Sequence, residues 1–207
     1  MGLLAKTGPV GYTSPMTIRS AEFIKSLPRA EDLPKDGRPL VACVGRSNVG
    51  KSSIINVLTK QKNLSRVSST PGRTQYINLF NINKTFTLVD LPGYGYAKVD
   101  KTARRGFGQL IHDFLLQAES LKLVIVIVDA RVGLTALDRE MLDLLAGLKL
   151  PTVIVANKVD ALSKTQSQNV IEKISSEFHA IVIPHSSITG VGRGTLLETI
   201  DHALRGA

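Results

Sequence analysis

The stretch Leu40-Val-Ala-Cys-Val-Gly45-Arg-Ser-Asn-Val-Gly50-Lys51-Ser52 decides the fold. A short apolar run ends in glycine, and helix-like sequence follows from Lys51 to Lys60. Strand, G-x-x-x-x-G-K-[ST] and helix, in that order, make a phosphate loop. Its glycines let backbone N–H groups converge on phosphate oxygens, and the helix adds the positive end of its dipole. A phosphorylated ligand is therefore expected against Gly45, Arg46, Ser47, Asn48, Val49, Gly50, Lys51, Ser52 and Ser53. Lys51 is placed for the β- and γ-phosphates and the Ser52 hydroxyl for Mg²⁺.

Outward from this loop the strand–helix rhythm repeats. Gln75–Ile82 and Thr85–Asp90 read as two strands around a tight turn at 81–84. Leu123–Asp129 is a continuous apolar run, the pattern of a strand buried on both faces. Pro151–Ala156 and Ala180–Ile183 complete six strands. Helices are predicted over Lys101–Ala118, Leu134–Leu148, Lys164–Phe178 and Thr195–Leu204. In the second of these, Leu137, Met141, Leu144, Leu145 and Leu148 form the apolar stripe. The fold class is α/β, a mostly parallel six-stranded sheet with helices on both faces, over residues 39–207. Residues 1–38, punctuated by Gly and Pro, read as an N-terminal arm. Within it Ser20–Leu27 is expected as a short amphipathic helix and residues 1–15 as mobile.

In such sheets ligands bind at the carboxyl ends of the strands. Asp90-Leu91-Pro92-Gly93 ends one strand. Its carboxylate suits Mg²⁺ through water, and the Gly93 N–H suits a γ-phosphate. Asn157-Lys158-Val159-Asp160 ends another. A carboxylate there accepts both N1–H and N2–H of guanine, a donor pair that adenine lacks, so Asp160 selects guanine. Asn157 braces the neighbouring loops and the Lys158 stem lies over the ring. Ser186-Ser187-Ile188 follows the last strand, with a backbone N–H near Ser187 for guanine O6. Gly190-Val-Gly-Arg-Gly194 reads as a flexible lead into the last helix.

In their order these loops resemble the set of a small Ras-like P-loop GTPase. Together with Ser69-Thr-Pro-Gly-Arg-Thr-Gln75 and Asp90-Leu-Pro-Gly-Tyr-Gly-Tyr-Ala97, the sequence resembles the EngB (YihA/YsxC) family of bacterial GTPases. The resemblance implies that Thr74 is the switch I threonine, on Mg²⁺ and near the γ-phosphate, with Thr70 as the rival. It brings Gly72, Arg73, Gln75 and Tyr76 to the nucleotide. It also implies catalytic parts for Lys51, Thr74 and Gly93, with Asn48 helping to hold K⁺. The alternative for Asn48 is a residue that suits a tight loop. Family members commonly carry Thr-Lys-x-Asp where this chain has Asn157-Lys-Val-Asp160. Tyr94 stands where Ras-type enzymes orient water with glutamine, so slow intrinsic hydrolysis is expected. Tyr94 and Tyr96 are open to stacking on RNA or to loop packing.

Composition limits the partners. The 207 residues carry a net charge of +9, with 43% hydrophobic residues and one cysteine, Cys43. That excludes wholesale disorder, an internal disulfide and a cysteine zinc cluster. No apolar run is long enough to span a bilayer, and no secretory leader is visible. Residues 39–110 hold 11 basic and 2 acidic groups, whereas 111–207 hold 9 and 11. Such a footprint points to an anionic partner. The resemblance implies the large ribosomal subunit and its rRNA during assembly, with a bearing on growth and division. A cytoplasmic monomer without stable membrane association is expected. The other reading is a switch acting on a protein partner in septation, without ribosome binding.

Overall fold

The computed structural model describes residues 16–65, 76–95 and 101–206. Among these the sheet has seven strands, in the order β1-β3-β4-β2-β5-β6-β7. They are β1 (Ala21–Leu27), β2 (Leu40–Gly45), β3 (Ile77–Ile82), β4 (Phe86–Asp90), β5 (Leu121–Asp129), β6 (Thr152–Asn157) and β7 (Val182–His185). The helices are α1 (Lys51–Thr59), α2 (Lys101–Gln117), α3 (Ala136–Gly147), α4 (Lys164–Phe178) and α5 (Arg193–Arg205). The pairs β4–β2, β2–β5, β5–β6 and β6–β7 are parallel.

Side-chain alternation along the central strands builds two cores. Val41, Cys43, Ile125 and Ile127 face Ile54, Ile55 and Leu58 of α1 and Leu196, Leu197 and Ile200 of α5. Ala42, Val44, Val124, Val126 and Val128 face Ile111 and Phe114 of α2, Leu142 and Leu145 of α3 and Ile174 of α4. Burial on both faces explains the unbroken apolar run of β5. Cys43 is a core residue, its thiol pushed up to about 12 by burial and then by the Asp90 carboxylate.

Two expectations change here. Ser20–Leu27 is not a helix. Residues 21–27 pair antiparallel with β3 as a seventh, edge strand, from Ala21 opposite Ile82 to Leu27 opposite Ile77. The open backbone edge of β3 outweighs the weak helical pattern of so short a segment. The turn between β3 and β4 fastens it: Asn83 and Lys84 both have positive φ, and the Asn83 side-chain oxygen accepts N–H groups of Arg19 and Ser20. The second change concerns α3. Its expected stripe began at Leu137, which is 39% exposed, while the neighbouring Asp138 is completely buried.

Candidate guanine-nucleotide site

Register carries five strand ends to one edge. Cys43 lies beside Asp90, Gly45 beside Ile127, and Asp129, Asn157 and His185 form a single row. The phosphate loop, Asp90–Gly93, Asn157–Asp160 and Ser186–Ile188 therefore meet.

At one end of the site, Gly50 caps α1 with φ 98° and Asn48 has φ 67°. The left-handed backbone alone gives a reason for asparagine at position 48, whose side chain is exposed. Lys51 is ion-paired with Asp90, at 8% and 1% side-chain exposure. The other Asp90 oxygen accepts the Ser65 hydroxyl at 3.2 Å. The turn after Asp90 lies directly on the phosphate loop. Ser47 N–H donates to the Tyr94 carbonyl at 3.0 Å, and Tyr94 N–H to the Gly45 carbonyl at 3.3 Å. A Cβ on Gly93 would come within 3.3 Å of Ser47 N, so the approach suits glycine. Leu91, Pro92 and Gly93 are buried. Tyr94 is buried too, its hydroxyl donating to Asp138 Oδ1 at 2.8 Å. Its ring is thus not available to an RNA base, and packing wins over stacking. Burial, and then the Asp138 carboxylate, push its phenol well above the ordinary tyrosine range.

At the other end, Asn157 is a hub. Its Nδ2 donates to the Val49 carbonyl at 2.8 Å. Its Oδ1 lies 3.1 Å from His185 Nδ1 and accepts the Ser187 hydroxyl at 3.3 Å. Lys158, with φ 69°, donates from Nζ to the Asn48 carbonyl at 2.7 Å and to Asp129 at 2.8 Å. Its stem therefore crosses from this loop to the phosphate loop, as a side chain lying over a base would. Burial alone would raise Asp129, but hydrogen bonds from Arg131 and Lys158 outweigh it and hold the group near 2. Val159–Ala161 form a short helical turn that leaves the Asp160 carboxylate exposed. The Ser186 hydroxyl accepts N–H groups of Ile188 and Thr189 and shapes the last loop.

The stretch at 190–194 is a tight turn rather than a flexible lead. Gly192 has φ 80°, and a Cβ there would fall 2.0 Å from the Pro184 carbonyl oxygen. Gly72, Arg73, Thr74, Gln75, the rival Thr70 and Tyr96 lie outside the described residues. Tyr76 is exposed just before β3.

The donor set suits Mg²⁺. Among the described residues there is no group of three or more His, Cys, Asp or Glu able to hold a metal. The edge instead offers hard oxygens from the Ser52 hydroxyl and the Asp90 carboxylate. Mg²⁺ is typically bound in this way, by one or two carboxylates with phosphates and water completing the shell.

Three residues had no role in the sequence reading. Asp129 was visible only as a strand end, and His185 only as a neighbour of the last loop. Asp138 carried one usable signal, Thr135-x-x-Asp138 ahead of an apolar helix, the spacing of a capping box.

Comparison with known proteins gives the family. A family profile described as "50S ribosome-binding GTPase" matches residues 40–158. The chain is similar to the "Probable GTP-binding protein EngB" of Chlorobaculum parvum, with 44% identity over 90% of this chain and 98% of the relative. It is 47% identical to the protein of the same name from Desulforamulus reducens, over 90% and 93%. A crystal structure of a probable GTP-binding protein engB matches with a TM-score of 0.69 and 26% identity, covering 81% of this chain and all of that one. With a phosphate loop and a guanine-type loop meeting on one sheet edge, and relatives that match nearly end to end, the chain belongs to the EngB family of GTP-binding proteins and is a GTPase.

Proposed function

We propose that this GTPase is a slow switch that docks on rRNA-rich precursors of the large ribosomal subunit, leaves after hydrolysis, and so serves normal growth and division. The observation that carries the reading is the charge: 11 basic against 2 acidic groups over residues 39–110, the third that holds the phosphate loop and both switch segments. Lys60 and Lys62, with Arg66 and Arg73, flank switch I; Lys98, Lys101, Arg104 and Arg105 follow the turn holding Tyr94 and Tyr96, which is switch II by the family resemblance. A cationic surface beside a nucleotide-controlled one suits an anionic assembly. The description of the matching family profile supports the same partner. Among the described residues no helix is long and apolar enough to cross a membrane. A cytoplasmic monomer is part of the same reading.

The site residues divide the work. Asp160 reads guanine, Asn157 and Lys158 hold its loop against the phosphate loop, and Ser186–Ile188 close the base pocket. Backbone N–H groups over 45–53 and the Lys51 ammonium bind phosphates. Ser52, Thr74 and Asp90 would hold Mg²⁺, which would supply positive charge for the phosphates. Gly93 and Thr74 sense the terminal phosphate. Tyr94 stands where Ras-type enzymes orient water with glutamine, and a phenol does not do that job in the same way. That supports slow turnover. Asn48 would help hold K⁺, which would add positive charge beside the phosphates; equal turnover in KCl and NaCl at equal ionic strength removes that role.

Sedimentation with large subunits and their precursors, in GDP or a non-hydrolysable GTP analogue across a salt series, tests the partner. Binding that depends on the nucleotide and weakens steeply with salt is expected. No binding in either state, with nucleotide affinity intact, transfers the switch to a protein partner in septation.

A further inference from the structure

We infer that Asp138 is a positioning residue of this GTPase site: it latches the start of switch II onto the phosphate loop, in an arrangement that GTP has to open and GDP does not. Asp138 is completely buried. Its Oδ1 accepts the Tyr94 hydroxyl at 2.8 Å. Its Oδ2 accepts Arg46 Nε at 3.0 Å, Thr135 N–H at 2.9 Å and the Thr135 hydroxyl at 2.7 Å. One carboxylate thus joins the second residue of the phosphate loop, the residue after Gly93 and the first turn of α3. Thr135 anchors it to the body of the domain; Arg46 and Tyr94 are what it holds. The approach is close elsewhere along the turn, since a Cβ on Gly95 would fall 2.8 Å from Leu137 Cδ1.

The latched backbone uses groups that a terminal phosphate needs. Ser47 N–H is spent on the Tyr94 carbonyl, and residues 46 and 94 pair as a parallel bridge. Lys51 is also paired with Asp90, but either nucleotide draws it to the β-phosphate, so this pair does not discriminate between them. An N–H group bonded within the protein must be released before it serves a γ-phosphate oxygen. Phosphates nearer the α1 N-terminus make no such demand on the turn. The latch therefore opposes GTP selectively, and Asp138 sets its strength through Tyr94.

The inference rests on the phosphate-loop assignment proposed above, and the experiment separates the two. Affinities of the full chain for GDP and for a non-hydrolysable GTP analogue, with Mg²⁺, are compared for wild type, Tyr94→Phe, Asp138→Asn, the double variant and Lys51→Ala. Tyr94→Phe keeps the ring and the α3 cap and removes only the hydroxyl. It is expected to tighten the analogue about tenfold, the worth of a hydrogen bond to a charged group, and to leave GDP within about twofold. Asp138→Asn should shift the same ratio in the same direction. The double variant should add little to it, because both changes act on one contact. Loss of packing alone would weaken both nucleotides together and lower the melting temperature. An unchanged analogue-to-GDP ratio in Tyr94→Phe overturns the latch, as does additivity in the double variant. Lys51→Ala should lose both nucleotides; if it keeps them, the phosphate-loop assignment fails, whatever Tyr94→Phe does.

Discussion

The two ends of the site are held by different kinds of bond. At the Asn157–Asp160 end the bonds link one loop to another and leave the ligand-reading group free: Asn157 spans Val49, His185 and Ser187, Lys158 spans Asn48 and Asp129, and the Asp160 carboxylate is exposed. At the Asp90–Tyr94 end the reading groups themselves are bonded: Lys51 to Asp90, and Ser47 N–H to the Tyr94 carbonyl. On the proposed function, the first arrangement is a preformed reader that needs no rearrangement to bind. The second is a set of exchangeable contacts, which is what a switch requires.

The sharpest way to break this contrast is Asp160→Asn. An amide presents a donor where guanine also presents donors. Guanine-nucleotide affinity should fall on the order of 10³-fold. Xanthine nucleotides, which offer N1–H and an acceptor at C2, should gain. Competition binding reads both changes. Unaltered guanine affinity would mean that this end is not the reader.

Gly50→Ala asks whether the two ends share one frame. The new Cβ would lie 2.3 Å from Asn157 Nδ2, at φ 98°. The left-handed backbone costs about 1–3 kcal/mol, and Asn157 must leave Val49. The melting temperature should drop, and guanine affinity should fall with it. A loss of stability with guanine affinity intact would show that Asn157 does not link the ends.

Asn157→Thr is gentler and sharpens the same point. Threonine is too short to reach both Val49 and His185, so one bond to each is lost. About 1 kcal/mol per bond is expected, read as a lower denaturant midpoint and roughly five- to tenfold weaker nucleotide binding.

The smallest effect is at His185. Burial lowers its pKa from 6.5 to about 4. The unfolded chain therefore takes up this proton at a higher pH than the folded one. The stability involved is fully present above 6.5 and drains away as pH falls towards 4. His185 Nε2 is also buried with no hydrogen-bond partner among the described residues. His185→Phe loses the Asn157 bond but removes that orphan nitrogen, so stability at pH 7.5 should change by less than about 1 kcal/mol. Between pH 6.5 and 4 the variant should lose less stability than wild type in urea titrations. Parallel pH profiles would show that His185 does not carry this part of the acid response.

Most of the base-reading end was legible in the sequence. Strong apolar runs fix where strands end, and motif residues at those ends have few geometric options, so Asn157, Lys158 and Ser187 stand where the spacing predicts. Less of the switch end was legible, because its contacts are made by residues that look ordinary in sequence. Tyr94 reads as open to stacking or to loop packing until Asp138 is seen to hold it. Asp138 lies outside the apolar stripe of its helix, where only the capping-box spacing marks it; of that stripe Leu137 alone is exposed, while Met141, Leu144, Leu145 and Leu148 pack against the core. The edge strand β1 escaped notice for another reason. Seven residues show little periodicity, and what recruits them is the open edge of a distant strand, which local pattern does not report. Gly192 looked like freedom and is a constraint, since the contact with the Pro184 carbonyl exists only in the folded chain.

The most direct test is the structure of the full chain with Mg²⁺ and a non-hydrolysable GTP analogue. The prediction is that Lys51 leaves Asp90 for phosphate and that Ser47 N–H and the Tyr94 hydroxyl leave their present acceptors. The Asn157–Val49, Asn157–His185 and Lys158–Asn48 bonds should remain. Analogue bound with the Ser47–Tyr94 and Tyr94–Asp138 bonds intact, or with the Asn157 bonds broken, would contradict the division of the site into a fixed reader and an exchangeable switch.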